Sequence, residues 1–224
     1  MTTQYYGHVV SYLDAKVAFP TGGFSHSSGL ESALRHHGVT NTDELRRFLV
    51  CSLENTGSMS LPFVAAAHGS CLDDTKLVAL DKITQCCLTN HVANRASARQ
   101  GCSLLDTSSK AYRIEHLERL ADHLPHCHHA VVFGALCGIL GIHKIPTLTT
   151  FLYNTLRNIL AAAVRLDIIG PVQAQVVQTD IQIHIQDIIT RNLERKVEEA
   201  AVMYPVIDCM QNSHDIMFAK LFYS

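Results

Sequence analysis

The sequence predicts an all-α fold, a single-domain bundle of roughly ten helices, and three observations support it. Apolar residues recur at three- and four-residue spacing through most of the 224 residues, the period that places them on one face of a helix. Helix-starting patterns punctuate the chain, among them Asn41 with Glu44, Pro62, and Asp73 or Asp74. The single stretch that alternates with period two, Ile181-Gln182-Ile183-His184-Ile185-Gln186, has no partner strand elsewhere. A lone strand cannot satisfy its own backbone, so this stretch too is assigned to helix. Neither an internal repeat nor a low-complexity linker divides the chain, and its length suits one sizeable core.

In order, Tyr5 to Leu13 is a short helix or lead-in, with Tyr5, Val9 and Tyr12 spaced for one face. Phe19 to Ser32 follows as a Pro-Thr-Gly-Gly turn running into helix, where Ser28 and Glu31 stand at capping-box spacing. Leu30, Ala33 and Leu34 form a stripe that stops at Gly38. From Asn41 a helix carries Leu45, Phe48, Leu49 and Leu53 to Gly57, and Pro62 opens another through His68. The next helix runs from Asp73 or Asp74 to Leu88. Two more span His91 to Leu105, which is rich in small residues, and Ser109 to Leu124, which is amphipathic. Ala130 to Leu140 is apolar all round and so predicts a buried helix, closed by Gly141. Thr147 begins a helix with Leu148, Phe151, Leu152, Leu156 and Ile159 inward. Gly170-Pro171 interrupts before the long run Val172 to Ala200, Pro205 breaks the chain again, and Asn212 to Phe222 is a short terminal helix or tail.

Composition narrows the function classes. Hydrophobic residues make up 47% of the chain and charged residues 17%. An average soluble domain carries roughly 25% charge, so the surface is expected to hold apolar patches meant for partners. A net charge of −2 leaves no electrostatic footprint for nucleic acid or an anionic membrane. No Lys or Arg precedes Lys16 to make a signal-peptide n-region, and the longest apolar run, Ala130 to Ile142, is too short to span a bilayer. Eight cysteines lie scattered without C-x₂-C spacing, Cys86 and Cys87 being adjacent, which fits reduced thiols in a cytoplasmic protein. There is no phosphate-binding G-x-x-x-x-G-K-[ST] run and no H-E-x-x-H. Gly23-Phe24-Ser25-His26-Ser27 mimics a hydrolase nucleophile elbow, but its last glycine is missing and no strand leads into it.

The run FPTGGFSHSSGLE, residues 19–31, resembles the entry motif of the urease accessory protein F family. Other pieces agree in the right order. They are Pro62-Phe63 before Ala65-Ala66-Ala67-His68, Asn94-Arg95-Ala96-Ser97 with Gln100-Gly101, and Val132-Phe133-Gly134. Arg165 follows with Gly170-Pro171, Gln173 and Gln175, and then His214-Asp215 before Leu221-Phe222 and Ser224. The likeness thus covers nearly the whole chain. It implies a non-enzymatic assembly factor that binds no cofactor stably, while Ni²⁺ is handled by the complex it joins. The implied partners are the accessory protein called D or H, the nickel-carrying GTPase (accessory protein G) and, through the complex, apo-urease. A homodimer is implied as well.

By the same resemblance, Phe24, His26, Glu31, Arg165, Gly170, Gln173 and Gln175 belong to the surface that receives the GTPase. His214, Asp215, Leu221, Phe222 and Ser224, within a tail spanning 205–224, belong to the surface for the D/H protein. Lys220 stands where the family usually has arginine, which removes a bidentate contact there. Several of these residues have a structural reading beside the functional one. Glu31 suits a capping box, or a carboxylate that coordinates Ni²⁺ in passing. Arg165 suits the last carbonyls of a helix, or a charge-assisted contact with a partner. Ile216, Met217, Leu221 and Phe222 are too apolar for a solvated end and call for a groove, which the resemblance supplies on the D/H protein.

A different class of function rests on His123, His126, Cys127, His128 and His129 around Pro125, whose nitrogen and sulfur ligands suit nickel or zinc. On that reading the chain is a free-standing metal carrier using residues 123–129, with His126, Cys127 and His128 as ligands. The spacing matches no closed tetrahedral site.

Overall fold

A computed structural model describes residues 23–224. The expected lead-in Tyr5 to Leu13, and the Pro20-Thr21-Gly22 part of the opening turn, lie outside the described residues. Those described are helical with no strand, which agrees with the all-α reading.

Helix α1 (Leu30–His36) and helix α2 (Thr42–Asn55) lead the bundle. Asn41 starts α2 as expected, its Oδ1 accepting from the Asp43 and Glu44 amides. Contrary to expectation, Gly57 does not end this helix. A π-turn at Thr56–Ser60 carries it on into α3 (Leu61–Gly69). Gly57 serves close approach instead: a Cβ there would fall 2.3 Å from Ile188 Cγ2.

Asp73 caps α4 (Asp74–Cys87), accepting from the Lys76 amide, and Asn90 caps α5 (His91–Tyr112). The two helices expected over 91–105 and 109–124 divide later, at Arg113, whose φ of 53° is left-handed. The second, α6, is Glu115–His123. Helix α7 (His129–Ile139) is the buried helix expected from its composition. Its glycines face α3, with Gly134 against the Val64 carbonyl and Gly138 against that of His68, leaving no room for a side chain.

Helix α8 (Lys144–Arg165) starts earlier than Thr147, because Pro146 is tolerated in a first turn. The expected run Val172 to Ala200 is broken into α9 (Pro171–Ile181) and α10 (Ile183–Asn192), followed by a 3₁₀ turn at Val197–Glu199. Across the period-two stretch Ile181, Ile185, Ile188 and Ile189 are buried while Ile183 is exposed, which is helical spacing. Pro205 opens α11 (Pro205–Asn212) and does not merely interrupt. The terminal segment is not a helix through Phe222: a 3₁₀ turn at Ser213–Ile216 gives way to non-helical chain up to Ser224. Phe222 belongs to the same apolar core as α1, α7 and α8.

Candidate functional site

The opening motif and the chain's last residues form one structure. Gly23–Ser25 is a 3₁₀ turn laid against α8, where a Cβ on Gly23 would meet Asn158 Nδ2 at 2.4 Å. Ser28 (φ 53°) and Gly29 (φ 86°) are consecutive left-handed residues that turn the chain into α1. Gly29 also packs against Gln211 of α11, so a side chain there would be strained twice over. Glu31, on the first turn of α1, then points at the tail.

Glu31 is therefore not the capping-box partner its spacing suggests. Gly29 is the N-cap residue, with no side-chain cap. The buried Glu31 carboxylate accepts the Leu221 amide at Oε1 (2.6 Å) and the Phe222 amide at Oε2 (3.0 Å). Ser25 and Ser27 continue the attachment. The Tyr223 amide donates to the Ser25 carbonyl, and the Ser27 amide and hydroxyl donate to the Ser224 carbonyl. His26 Nδ1 pairs with the Ser224 hydroxyl. Charge-assisted bonds from two amides to one carboxylate, out of water, hold a tail far better than exposed contacts would.

Arg165 closes the other side. Its Nη1 donates to the Phe24 carbonyl at 2.6 Å, and its guanidinium lies 4.2 Å from the Phe24 ring centre and 4.3 Å from that of Phe222. It joins opening motif to tail through two ring faces. Arg99 repeats the device, lying 3.8 Å from the Tyr223 ring centre and donating to the Tyr223 hydroxyl. Upstream, Arg95 grips the Asp215 carboxylate with both terminal nitrogens and His91 Nε2 adds a third contact. Arg95 first, then His91, pulls the Asp215 carboxyl down to about 2. Lys220 Nζ donates to the Asp215 carbonyl, so it braces the tail from within.

Burial sets the proton affinities. His26 is held down at about 4, chiefly by burial and then by Arg99 and His214. His214, with its Nε2 3.5 Å from Glu31 Oε2, is likewise lowered, burial and Lys220 outweighing the carboxylate. Beyond that contact, its ring nitrogens have no hydrogen-bond partner among the described residues.

The tail divides by face. His214, Met217, Phe222 and Ser224 are buried, so the groove expected on another protein is, for Met217 and Phe222, this chain's own surface. Ile216, Phe218, Leu221 and Tyr223 point outward, at 83%, 107%, 55% and 62% exposure, and Phe24 beside Arg165 is exposed too. Of the residues grouped on the GTPase surface, Phe24, His26, Glu31 and Arg165 meet here. Gly170, Gln173 and Gln175 sit apart, exposed on the first turns of α9, where Gln173 Nε2 donates to Thr42 Oγ1.

The histidine-cysteine cluster does not converge. Asp81 of α4, fully buried, accepts the amides of His126, Cys127 and His128, which fixes the loop before α7. His128 is buried between Ser97 and Gln85, Cys127 points at the Leu124 carbonyl, and His123 bonds the Arg119 carbonyl. His129 turns away onto Phe133 and Phe151, and burial lowers it to about 4. No group of three or more His, Cys, Asp or Glu side chains among the described residues is arranged to hold a metal ion. The elbow-like run fares no better: His26 pairs with Ser224 rather than Ser25, and both partners are buried.

Sequence reasoning missed Arg95, Arg99 and His91 as tail-holding groups, and Asp81 as the anchor of the 126–128 loop. Asp81 had a signal, since it stands four residues after Leu77 on the face that α4 buries. Arg99 had none.

Comparison with known proteins bears on this arrangement. A family model described as UreF matches residues 39–182. Urease accessory protein F of Oryza sativa subsp. indica is 39% identical over 209 residues, covering 91% of this chain and 80% of the relative. Urease accessory protein F of Arabidopsis thaliana is 36% identical over 211 residues, 92% of this chain and 88% of the relative. Urease accessory protein UreF of Trichodesmium erythraeum is 30% identical over 211 residues, 91% of each.

Proposed function

The chain belongs to the urease accessory protein F family, and we propose that it acts as a non-enzymatic assembly factor for the nickel centre of urease. It works as a homodimer between the D/H accessory protein and the nickel-carrying GTPase, with apo-urease reached through the complex. Ni²⁺ passes through that complex as cargo, and this chain holds no cofactor of its own. Its setting is the cytoplasm, in keeping with described residues that include no helix long and apolar enough to cross a membrane.

The observation that carries this reading is the two-faced tail. One face is locked to the opening motif by Glu31, Arg165 and Ser27, while Phe218, Leu221 and Tyr223 on the other face water. Large apolar groups held outward on a braced segment make a ready docking edge, since little ordering entropy remains to be lost on binding. That edge receives the D/H protein. The start of α9, with Gly170, Gln173 and Gln175, receives the GTPase.

The test is co-elution. Replacing Ile216, Phe218 and Leu221 together by alanine removes only outward groups, so the melting temperature stays near wild type while the D/H protein no longer co-elutes. A triple variant that still binds the D/H protein at full stoichiometry overturns the assignment of this edge.

A further inference from the structure

His26 also lines the first of two adjoining recesses in the bundle. Their volumes are about 170 and about 180 Å³, and they share Ser28, Thr56, Met59, Ala93, Thr155 and Gln211. The π-turn at Thr56–Ser60 widens the helix here, and Thr56, Met59 and Ser60 all border the space. Small residues keep it open. Ala93 and Ala96 of α5 and Ala130 of α7 leave room that longer side chains would fill. The first recess has no Lys, Arg, Asp or Glu in its lining, which combines hydroxyl-bearing residues, Gln100 and Gln211 with Phe63 and Phe151. Burial keeps its two imidazoles, His26 and His129, neutral at physiological pH. The second recess adds one carboxyl, Asp208, which burial pushes up. It also adds Ser52, 6% exposed, whose hydroxyl has no hydrogen-bond partner among the described residues. Hydrogen-bonding capacity in this lining is therefore not used up within the fold.

We propose that these recesses bind a small uncharged molecule that carries a primary amide. A charged molecule of the same size would give up its hydration and meet no opposite charge in the first recess. A wholly apolar one would leave hydroxyls and side-chain amides without partners. A primary amide answers both demands: its edge donates and accepts, while its faces tolerate apolar neighbours such as Phe63, Phe151 and Met59. An engineered apolar cavity of about 150 Å³ takes up benzene, which sets the size at roughly six heavy atoms in either recess. The walls come from the opening motif, the π-turn, α5, α8 and α11. A seated molecule therefore joins segments far apart in sequence, and by mass action it stabilises the fold that holds it.

The experiment titrates the full chain, methyl-labelled at methionine and threonine, with acetamide, acetate and acetone, and follows the methyl signals by NMR. The three molecules match in size, but acetate is charged and acetone has no donor. Acetamide is expected to shift the Met59 and Thr155 methyl signals to saturation while that of the exposed Met203 stays in place. Acetate and acetone are expected to bind at least about tenfold more weakly. Ala93→Met, which fills space common to both recesses, is expected to weaken acetamide binding at least about tenfold. Should that variant fail to fold, Gln100→Leu, similar in volume but without the amide, is expected to weaken it at least about fivefold. If neither folds, the three titrations of the wild type decide alone. Three results overturn the proposal: shifts that grow without saturating, acetate or acetone that binds as tightly as acetamide, or a folded variant that keeps the wild-type affinity.

Discussion

At the scale of single residues, Glu31 shows how one carboxylate decides the fate of a tail. Its buried carboxylate accepts the amides of both Leu221 and Phe222. Glu31→Ala strands both, at about 1–3 kcal/mol for each buried donor left without a partner. Hydrogen exchange at Leu221 and Phe222 should then accelerate sharply while core amides stay protected. Glu31→Gln, which keeps one acceptor oxygen, should fall between; equal exchange in the alanine variant and wild type would remove Glu31 from this role. His26 makes the same attachment sensitive to acid. Its folded value of about 4 lies below the ordinary 6.5, so the fold favours the neutral ring. The stability it contributes is fully present above 6.5, is lost as pH falls from there through 4, and amounts to roughly 1–3 kcal/mol. His214, lowered too, acts in the same direction. Asp215 responds later. Its carboxyl is depressed to about 2, so its pairing with Arg95 survives this interval and weakens only as pH falls further. Limited proteolysis of the tail should therefore quicken between about pH 7.5 and about pH 5, and His26→Asn should flatten that change. A wild-type tail equally resistant at both pH values would contradict it.

At the scale of elements, glycine decides where helices touch. Gly101 allows α5 to rest on the 126–128 loop, and a methyl group there would overlap the Cys127 carbonyl. Gly101→Ala gains intrinsic helix propensity of roughly 1 kcal/mol, yet the overlap with backbone should outweigh it. The net expectation is a loss of about 1–3 kcal/mol, seen as a lower melting temperature. An unchanged or raised melting point would show that the loop moves freely despite Asp81. Much at this scale was legible in the sequence. The caps at Asn41 and Asp73 and the all-round apolar α7 follow from local rules that tertiary contacts did not overrule. Two of the misses share a cause, since each depended on a distant partner. Gly57 reads locally as a stop, but Ile188 packs on it and the helix continues through a π-turn. Ser28 and Glu31 read as a capping box, but the better partners for that carboxylate lie 190 and 191 positions away.

At the scale of the whole molecule, the two ends of the described chain meet on α8, and the surfaces that remain are separate. Composition foretold exposed apolar groups, and they are present both on the tail and on α9, where Val172 and Val176 stand 78% and 52% exposed. Which groups share a surface was not legible, because Arg165 and Gln175 lie within one stretch of sequence and yet serve different places. This separation sets up the last test. Arg165 bonds the Phe24 carbonyl and lies against two rings, one of them the core residue Phe222. Arg165→Ala should therefore lower stability by about 1–3 kcal/mol, release the tail, and so weaken binding of the D/H protein without any direct contact being lost. Gln175 is exposed on α9, so Gln175→Ala should leave melting and D/H binding unchanged. If α9 receives the GTPase, that variant together with Gln173→Ala should weaken recruitment of the GTPase to a preformed complex by about tenfold or more. Thermal melting, co-elution with the D/H protein and GTPase recruitment, measured side by side on both variants, separate the roles. If Arg165→Ala keeps its melting temperature and D/H binding but fails to recruit the GTPase, Arg165 meets that partner directly and the division into two faces is wrong. If it loses stability and D/H binding together, the arginine acts by holding the tail, and the outward edge of that tail is what the D/H protein reads.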